Sequence, residues 1–115
     1  MGKRRRTAIV ETKKGILLTS MRKGPYRLPG GGADRGETRF MAAIRELKEE
    51  TGLMANYAKL LFRYKGRQAH TVVLIKAGGS PKPKREVKSL KYYRKNKDIK
   101  LSRDTKAILK KYFRR

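Results

Sequence analysis

The 115-residue chain has no cysteine, one histidine and only nine acidic residues. Without cysteine there are no disulfides, thiolate metal sites or cysteine nucleophiles, a composition that suits a reducing cytosol. The lone His70, beside a strand, reads more readily as a structural or solvent-facing residue than as a catalytic base. No run of about 18 apolar residues occurs, so no transmembrane helix is encoded and no membrane partner is expected. The basic start at residues 1–6 is followed by no apolar stretch, so no secretory leader is expected. These absences place the expected location in the cytoplasm.

Basic charge is abundant. Lysine and arginine total 33, giving a formal charge of +24, and from Met54 onward there are 20 basic residues against Glu86, Asp98 and Asp104. Such a field attracts polyanions and speeds their encounter, although charge says nothing about fold. Apolar residues are 37% of the chain and fall in periodic runs. The length suits one folded domain spanning residues 1–115.

Residues 7–10 and 16–19 read as two strands of a hairpin, with Thr12-Lys13-Lys14-Gly15 as its turn. Residues 26–29 are extended, because the residue before Pro29 is pushed out of the helical region. Gly30-Gly31-Gly32 predicts an irregular, permissive backbone. Asp34 as N-cap, with Glu37 three residues on, predicts a capping-box start to a helix that runs to Thr51 and stops at Gly52. Phe40, Ala43, Ile44 and Leu47 give it a buried stripe. Residues 60–64 and 71–77 read as strands around a turn at Gly66. Val72-Val73-Leu74-Ile75, apolar on both faces, predicts an interior strand. Residues 87–93 form a further strand. Ser102 caps a last helix with Ile108, Leu109, Tyr112 and Phe113 on one side. The order predicts an α/β domain with a mixed sheet covered by helices.

The chemistry concentrates in residues 31–53. Glu46, Glu49 and Glu50 stand at i, i+3 and i+4 and share one helix face, roughly 120° round from the apolar stripe. Three like charges repel, and the arrangement makes sense around a divalent cation such as Mg2+, which prefers carboxylate and water oxygens and shares its shell with phosphates. Arg45, four residues before Glu49, can bond and orient that carboxylate. The glycines let the backbone approach a metal or phosphate closely. A solvated Glu/Lys helix face would explain an isolated pair of glutamates, but not the glycines, Glu37, Arg45 and Gly52 at their spacings. Glu37 is read as a capping residue. Arg22, Lys23 and Arg27 precede the stretch and are either phosphate contacts or solvated charge. Tyr64, Tyr92 and Tyr93 could stack a base, but in strands they read first as packing.

The stretch resembles the Nudix box, Gly-x5-Glu-x7-Arg-Glu-U-x-Glu-Glu-x-Gly-U with U aliphatic, at every defined position: Gly31, Glu37, Arg45, Glu46, Leu47, Glu49, Glu50, Gly52 and Leu53. Leu28-Pro29-Gly30 before the box and a late Glu86 entering a strand also match the family pattern. The resemblance implies an α/β/α sandwich in which the box forms a loop–helix–loop and a helix ends the chain. It implies hydrolysis of a nucleoside diphosphate linked to another moiety. Mg2+, with Mn2+ as a substitute, would be held by Glu46, Glu49 and Glu50 with a carbonyl from Gly30 or Gly31. Glu46, Glu49 and Glu86 are the implied choices for the base, with Arg45 supporting them, while Arg27, Gly31 and Gly32 are expected at the substrate.

Substrate choice in this family lies outside the box. The proline that marks many ADP-ribose hydrolases is missing near Gln68, and His70 and Thr71 stand where many dinucleoside-polyphosphate hydrolases carry a tyrosine. The aromatic- and proline-rich signature of NADH-type members is absent too. The expectation that remains is a MutT-like enzyme turning (d)NTPs, oxidised ones included, into monophosphate and pyrophosphate. The alternatives are an RNA 5′-end pyrophosphohydrolase that uses the basic surface, and a nucleic-acid-binding protein of this fold without catalysis. The intact box argues against the latter.

Overall fold

A computed structural model describes residues 4–95 and 98–114. Alternation builds its strands. In β1 (Arg5–Thr12), Ala8 and Val10 enter one core and Ile9, between them, enters the other, because successive side chains of a strand point to opposite faces. β2 (Gly15–Ser20) returns antiparallel with Thr12 opposite Gly15, the hairpin expected. After it, Thr19 bridges Arg27 and Tyr26 bridges Leu101, so the segment before Pro29 is extended as its sequence requires. β3 (Gly30–Gly32) pairs with the first residues of β1.

α1 (Arg39–Thr51) buries Ala42, Ala43 and Leu47 and ends at Gly52, which adopts the left-handed conformation at φ 79° and donates its N–H to the Lys48 carbonyl. β4 (Met54–Lys65) and β5 (Ala69–Gly78) form an antiparallel pair, and β5 runs parallel to β1. Val72, Val73 and Ile75 are buried between those neighbours, the interior strand predicted. β6 (Ser89–Tyr93) joins β2, and α2 (Arg103–Arg114) follows, with the Ser102 hydroxyl accepting the Thr105 N–H at 3.3 Å.

The sheet order is β4-β5-β1-β2-β6, with β3 off the path on β1. α1 packs on the face carrying Ala8, Val10, Leu17, Val73 and Ile75. α2 packs Ile108 and Leu109 on the face carrying Ile9, Ile16, Leu18 and Val72. This is an α/β/α sandwich. Leu17, Leu47, Ile75 and Ile108 have no exposure left, and each such burial stabilises by about 1.5–3 kcal/mol.

Four sequence expectations change. β4 begins at Met54 rather than near residue 60, because register shifts at Ala55/Tyr57 and Leu60/Phe62 break the alternation. The glycine run is a short strand rather than irregular backbone. Helix α1 starts at Arg39 with Thr38 as its cap, whose hydroxyl accepts the Met41 N–H at 3.1 Å. Asp34 instead opens a turn closed by the Glu37 N–H on its carbonyl at 3.0 Å. Glu86 sits in a turn before β6, not in the strand.

Candidate active site

The apolar stripe of α1 docks on the sheet and fixes which face looks outward. That face carries Glu46, Glu49 and Glu50 into a cleft of about 230 Å³, shared with Met21, Arg85, Glu86 and Val87. The far wall belongs to the loop after β5. Its Lys82 N–H bonds the Thr51 carbonyl at 2.9 Å and its Lys84 N–H bonds the Glu50 carbonyl at 3.0 Å, so the end of α1 holds Arg85 and Glu86 against the carboxylates. Arg85 takes φ 53° there and approaches Glu49 at 3.8 Å. Strand β3 forms the inner side. The Gly30 N–H donates to Glu50 Oε1 at 3.2 Å, and a Cβ on Gly31 would collide with the Glu46 carboxylate. The close approach predicted for the glycines is therefore an approach to the glutamates.

Arg45 is the hub of this face. Its Nε and Nη2 donate to the two oxygens of Glu37 at 2.7 and 3.0 Å, its Nη1 to Glu49 at 3.1 Å and Glu46 at 3.4 Å, and its Nη2 also to the Gly32 carbonyl at 3.0 Å. The fork to Glu37 is the strong, bidentate kind. Glu37 was expected as a helix cap. It does take the Asp34 N–H at 2.7 Å, but one turn before the helix begins, and its larger part is to hold Arg45. The bonds from Arg45, then from the Asp34 N–H, hold its carboxyl below the usual range, while Glu37 raises the guanidinium of Arg45 further.

The carboxylates behind Arg45 behave differently. Burial pushes Glu50 up to about 7, against the opposing pull of the Gly30 N–H and Arg5. Burial also raises Glu46, with Arg45 pulling it down and Glu49 pushing it up. Acids held together and partly dried are arranged for a positive partner. The donor set is hard oxygen, as Mg2+ or Mn2+ requires. Among the described residues no three acids or imidazoles form a ready-made cage. The three glutamates instead share one helix face along the cleft, which leaves coordination positions for water and substrate phosphate, as Mg2+ prefers. The residues fit the cation.

Of the other residues expected at the substrate, Gly32 turns its carbonyl to Arg45, and Arg27 lines a neighbouring depression with Arg5, Arg67, His70 and Asp104 rather than the cleft. Its charge still reaches Glu50. The sequence reading missed Arg5 and Arg85. The Arg5 guanidinium donates to the Leu28 carbonyl at 3.0 Å, and burial, then Arg27, lower it to about 10. Nothing local in the sequence distinguishes either from the surrounding basic residues. His70 is structural and 5% exposed. It joins Thr7 at 2.8 Å and Asp104 at 2.9 Å, and Asp104 also accepts the N–H groups of Arg67 and Gln68 at 3.0 Å each. Tyr64, Tyr92 and Tyr93 pack on the cores.

A family model described as the NUDIX domain matches residues 2–112. An ADP-ribose pyrophosphatase from Methanocaldococcus jannaschii is 33% identical over 118 residues, covering 92% of this chain and 70% of that protein. An RNA pyrophosphohydrolase from Erythrobacter litoralis is 46% identical over 60 residues, 48% of this chain and 37% of that protein. A structure of a nudix hydrolase family member from Chromobacterium violaceum superposes with TM-score 0.90 at 43% identity, covering 97% of this chain and 77% of that one. A bifunctional NMN adenylyltransferase/ADP ribose pyrophosphatase from Francisella tularensis, solved with AMP and a Mn ion, superposes with TM-score 0.74 at 22% identity over 99% of this chain and 42% of that one.

Proposed function

The chain belongs to the Nudix family of hydrolases, pyrophosphatases that act on phosphorus anhydrides, and from that premise we propose that residues 1–115 form one domain that hydrolyses nucleoside triphosphates to the monophosphate and pyrophosphate. The observation that carries this is the cleft where Glu46, Glu49 and Glu50 meet Glu86 with Arg5, Arg27 and Arg85 close by. A triphosphate brings more negative charge to those guanidiniums than a diphosphate ester does, which favours it over ADP-ribose.

Glu46, Glu49 and Glu50 would hold Mg2+, or Mn2+ in its place, with the Gly30 carbonyl as a further donor. When bound, such a cation neutralises charge on phosphate oxygens and makes a water more acidic. Arg45 fixes the rotamers of Glu46 and Glu49. Glu46, Glu49 and Glu86 are the acceptors within reach of the cleft for a proton from the attacking water. Arg85 on the cleft wall would meet the phosphates, Arg27 and Arg5 in the depression beside it add positive charge at longer range, and the backbone of Gly31 and Gly32 lies alongside. A cysteine-free nucleotide hydrolase of this kind belongs in the cytosol.

A second reading takes the 5′-triphosphate end of RNA as substrate. The 46% identity to an RNA pyrophosphohydrolase across half of the chain and the +24 charge favour it. Pyrophosphate and phosphate release from (d)NTPs, oxidised dNTPs, ADP-ribose and 5′-triphosphate RNA, with and without Mg2+, ranks these. Preferred turnover of ADP-ribose, in keeping with the Methanocaldococcus jannaschii relative, would replace the triphosphate reading. Glu49→Gln is expected to lower kcat by about 100-fold or more with an unchanged circular dichroism spectrum, and near-normal activity would remove Glu49 from the mechanism.

A further inference from the structure

Six of the nine acids of this protein are gathered on one side. Asp34, Glu37, Glu46, Glu49, Glu50 and Glu86 surround Arg45 and the cleft, Asp104 is held by His70 and Glu11 by Tyr112. On the α1 face of the sheet, at the end where β1 begins, no acid among the described residues lines the surface. A groove of about 470 Å³ is lined by Arg4, Arg6, Arg39, Arg63, Phe40, Thr38 and Thr71. None of the four arginines is ion-paired with an acid among the described residues.

The fold builds this cluster. Thr71 of β5 stands opposite Arg6 of β1 on one side and Arg63 of β4 on the other, so the two arginines flank a threonine in one row across three strands. Neighbouring strands lie about 4.8 Å apart, which puts their Cα atoms roughly 10 Å apart. Arg39 enters from the first turn of α1, which carries no acid. Arg4 and Arg6 are fixed by neutral carbonyls rather than carboxylates: Arg4 Nη1 donates to the His70 carbonyl at 3.4 Å and Arg6 Nη1 to the Arg4 carbonyl at 2.6 Å. Their positions are set while their charge remains whole. Arg6 Nε is buried with no hydrogen-bond partner, a donor of the kind native proteins rarely leave unmatched. The guanidinium of Arg39 lies over the Phe40 ring, 5.3 Å from ring centre to carbon, so the planar group offered to the groove is an arginine backed by an aromatic ring.

The geometry points to a second, non-catalytic site that binds the phosphodiester backbone of single-stranded nucleic acid. Unneutralised guanidiniums track successive phosphates, and the stacked Arg39–Phe40 pair is a platform for a base of any identity. A free polyphosphate would use the charges but not the platform. The site stands whether or not the hydrolytic substrate is a triphosphate.

The test is fluorescence anisotropy with a 3′-labelled RNA of about 12 nucleotides carrying a 5′-hydroxyl, which offers the hydrolytic cleft no anhydride. Arg39→Glu/Arg63→Glu should bind it at least about tenfold more weakly than wild type and lower the log Kd–log salt slope by about 1.4, the loss of two single-strand phosphate contacts. Both positions are tolerant, since Arg63 is exposed and an acid in the first helical turn is favourable. The kcat of this variant for nucleotide hydrolysis should be unchanged. Lys106→Glu/Lys110→Glu, on α2 across the sheet, makes the same change in net charge. If it weakens binding as much, the RNA is held by the diffuse field and the site is refuted. If inorganic tripolyphosphate displaces the RNA at concentrations as low as RNA itself, the groove takes free polyphosphate and the nucleic-acid assignment falls.

Discussion

Arg45 divides its donors among Glu37, Glu46, Glu49 and the Gly32 carbonyl, so the charge of Glu37 acts on the cleft through another residue. Glu37→Gln should lower kcat by about 10–100-fold, the usual cost of losing an outer-shell partner, with KM nearly unchanged. A purely structural role would instead lower the melting temperature and leave kcat alone. Glu50 gives a pH prediction. Its folded pKa, about 7, lies above the ordinary 4.5. Its stabilising contribution is therefore complete below about 4.5 and is lost as pH rises through about 7, a change on the order of 3 kcal/mol. His70 acts oppositely. Burial lowers its pKa from 6.5, so its contribution is present above 6.5 and declines as pH falls through the lower folded value. The melting temperature of metal-stripped wild type minus that of Glu50→Gln, followed from pH 5 to 8, isolates Glu50. The difference should fall with rising pH, and a flat difference would show that Glu50 is not dried by the fold.

At the scale of elements, β3 is the sensitive piece. Gly30 has φ 149° and a Cβ there would strike the Arg6 carbonyl, whereas at Gly31 it would strike only the end of the Glu46 side chain. Gly30→Ala should therefore destabilise the fold by about 3 kcal/mol or more. Gly31→Ala should leave the melting temperature within a few degrees and displace Glu46, raising the Mg2+ concentration needed for half-maximal activity by about tenfold or more. Equal melting losses in the two variants would contradict this division. The loop after β5 carries the other wall of the cleft only because its amides bond the Thr51 and Glu50 carbonyls, so the C-terminal end of α1 positions Glu86 as well as Glu50.

Across the whole molecule, +24 of formal charge surrounds a region where six of the nine acids gather about Arg45 and the cleft. The basic field draws phosphate-bearing substrates toward the molecule, and the acids set where a cation can bridge them. The kcat/KM for a triphosphate should fall roughly tenfold between about 0.05 and 0.5 M salt as the field is screened. A value that hardly changes would confine the basic residues to solubility.

Sequence alone determined the elements with regular periodicity: the β1–β2 hairpin, the two-faced apolar β5, the stripe of α1 and its stop at Gly52. It also determined the convergence of Glu46, Glu49 and Glu50, because positions i, i+3 and i+4 must share a helix face. These are local consequences of backbone geometry and survive in any fold. Tertiary structure decided what depends on distant partners. The bulges of β4 hid its first half from a two-residue period. Thr38 displaced Asp34 as the cap because Glu37 was drawn back to Arg45. Arg85, Arg5 and the row Arg63–Thr71–Arg6 gained their neighbours through strand register and loop anchoring. In a chain so rich in arginine, composition could not single them out, since only the packing of β1, β5 and α1 determines which guanidiniums face a carboxylate and which face one another.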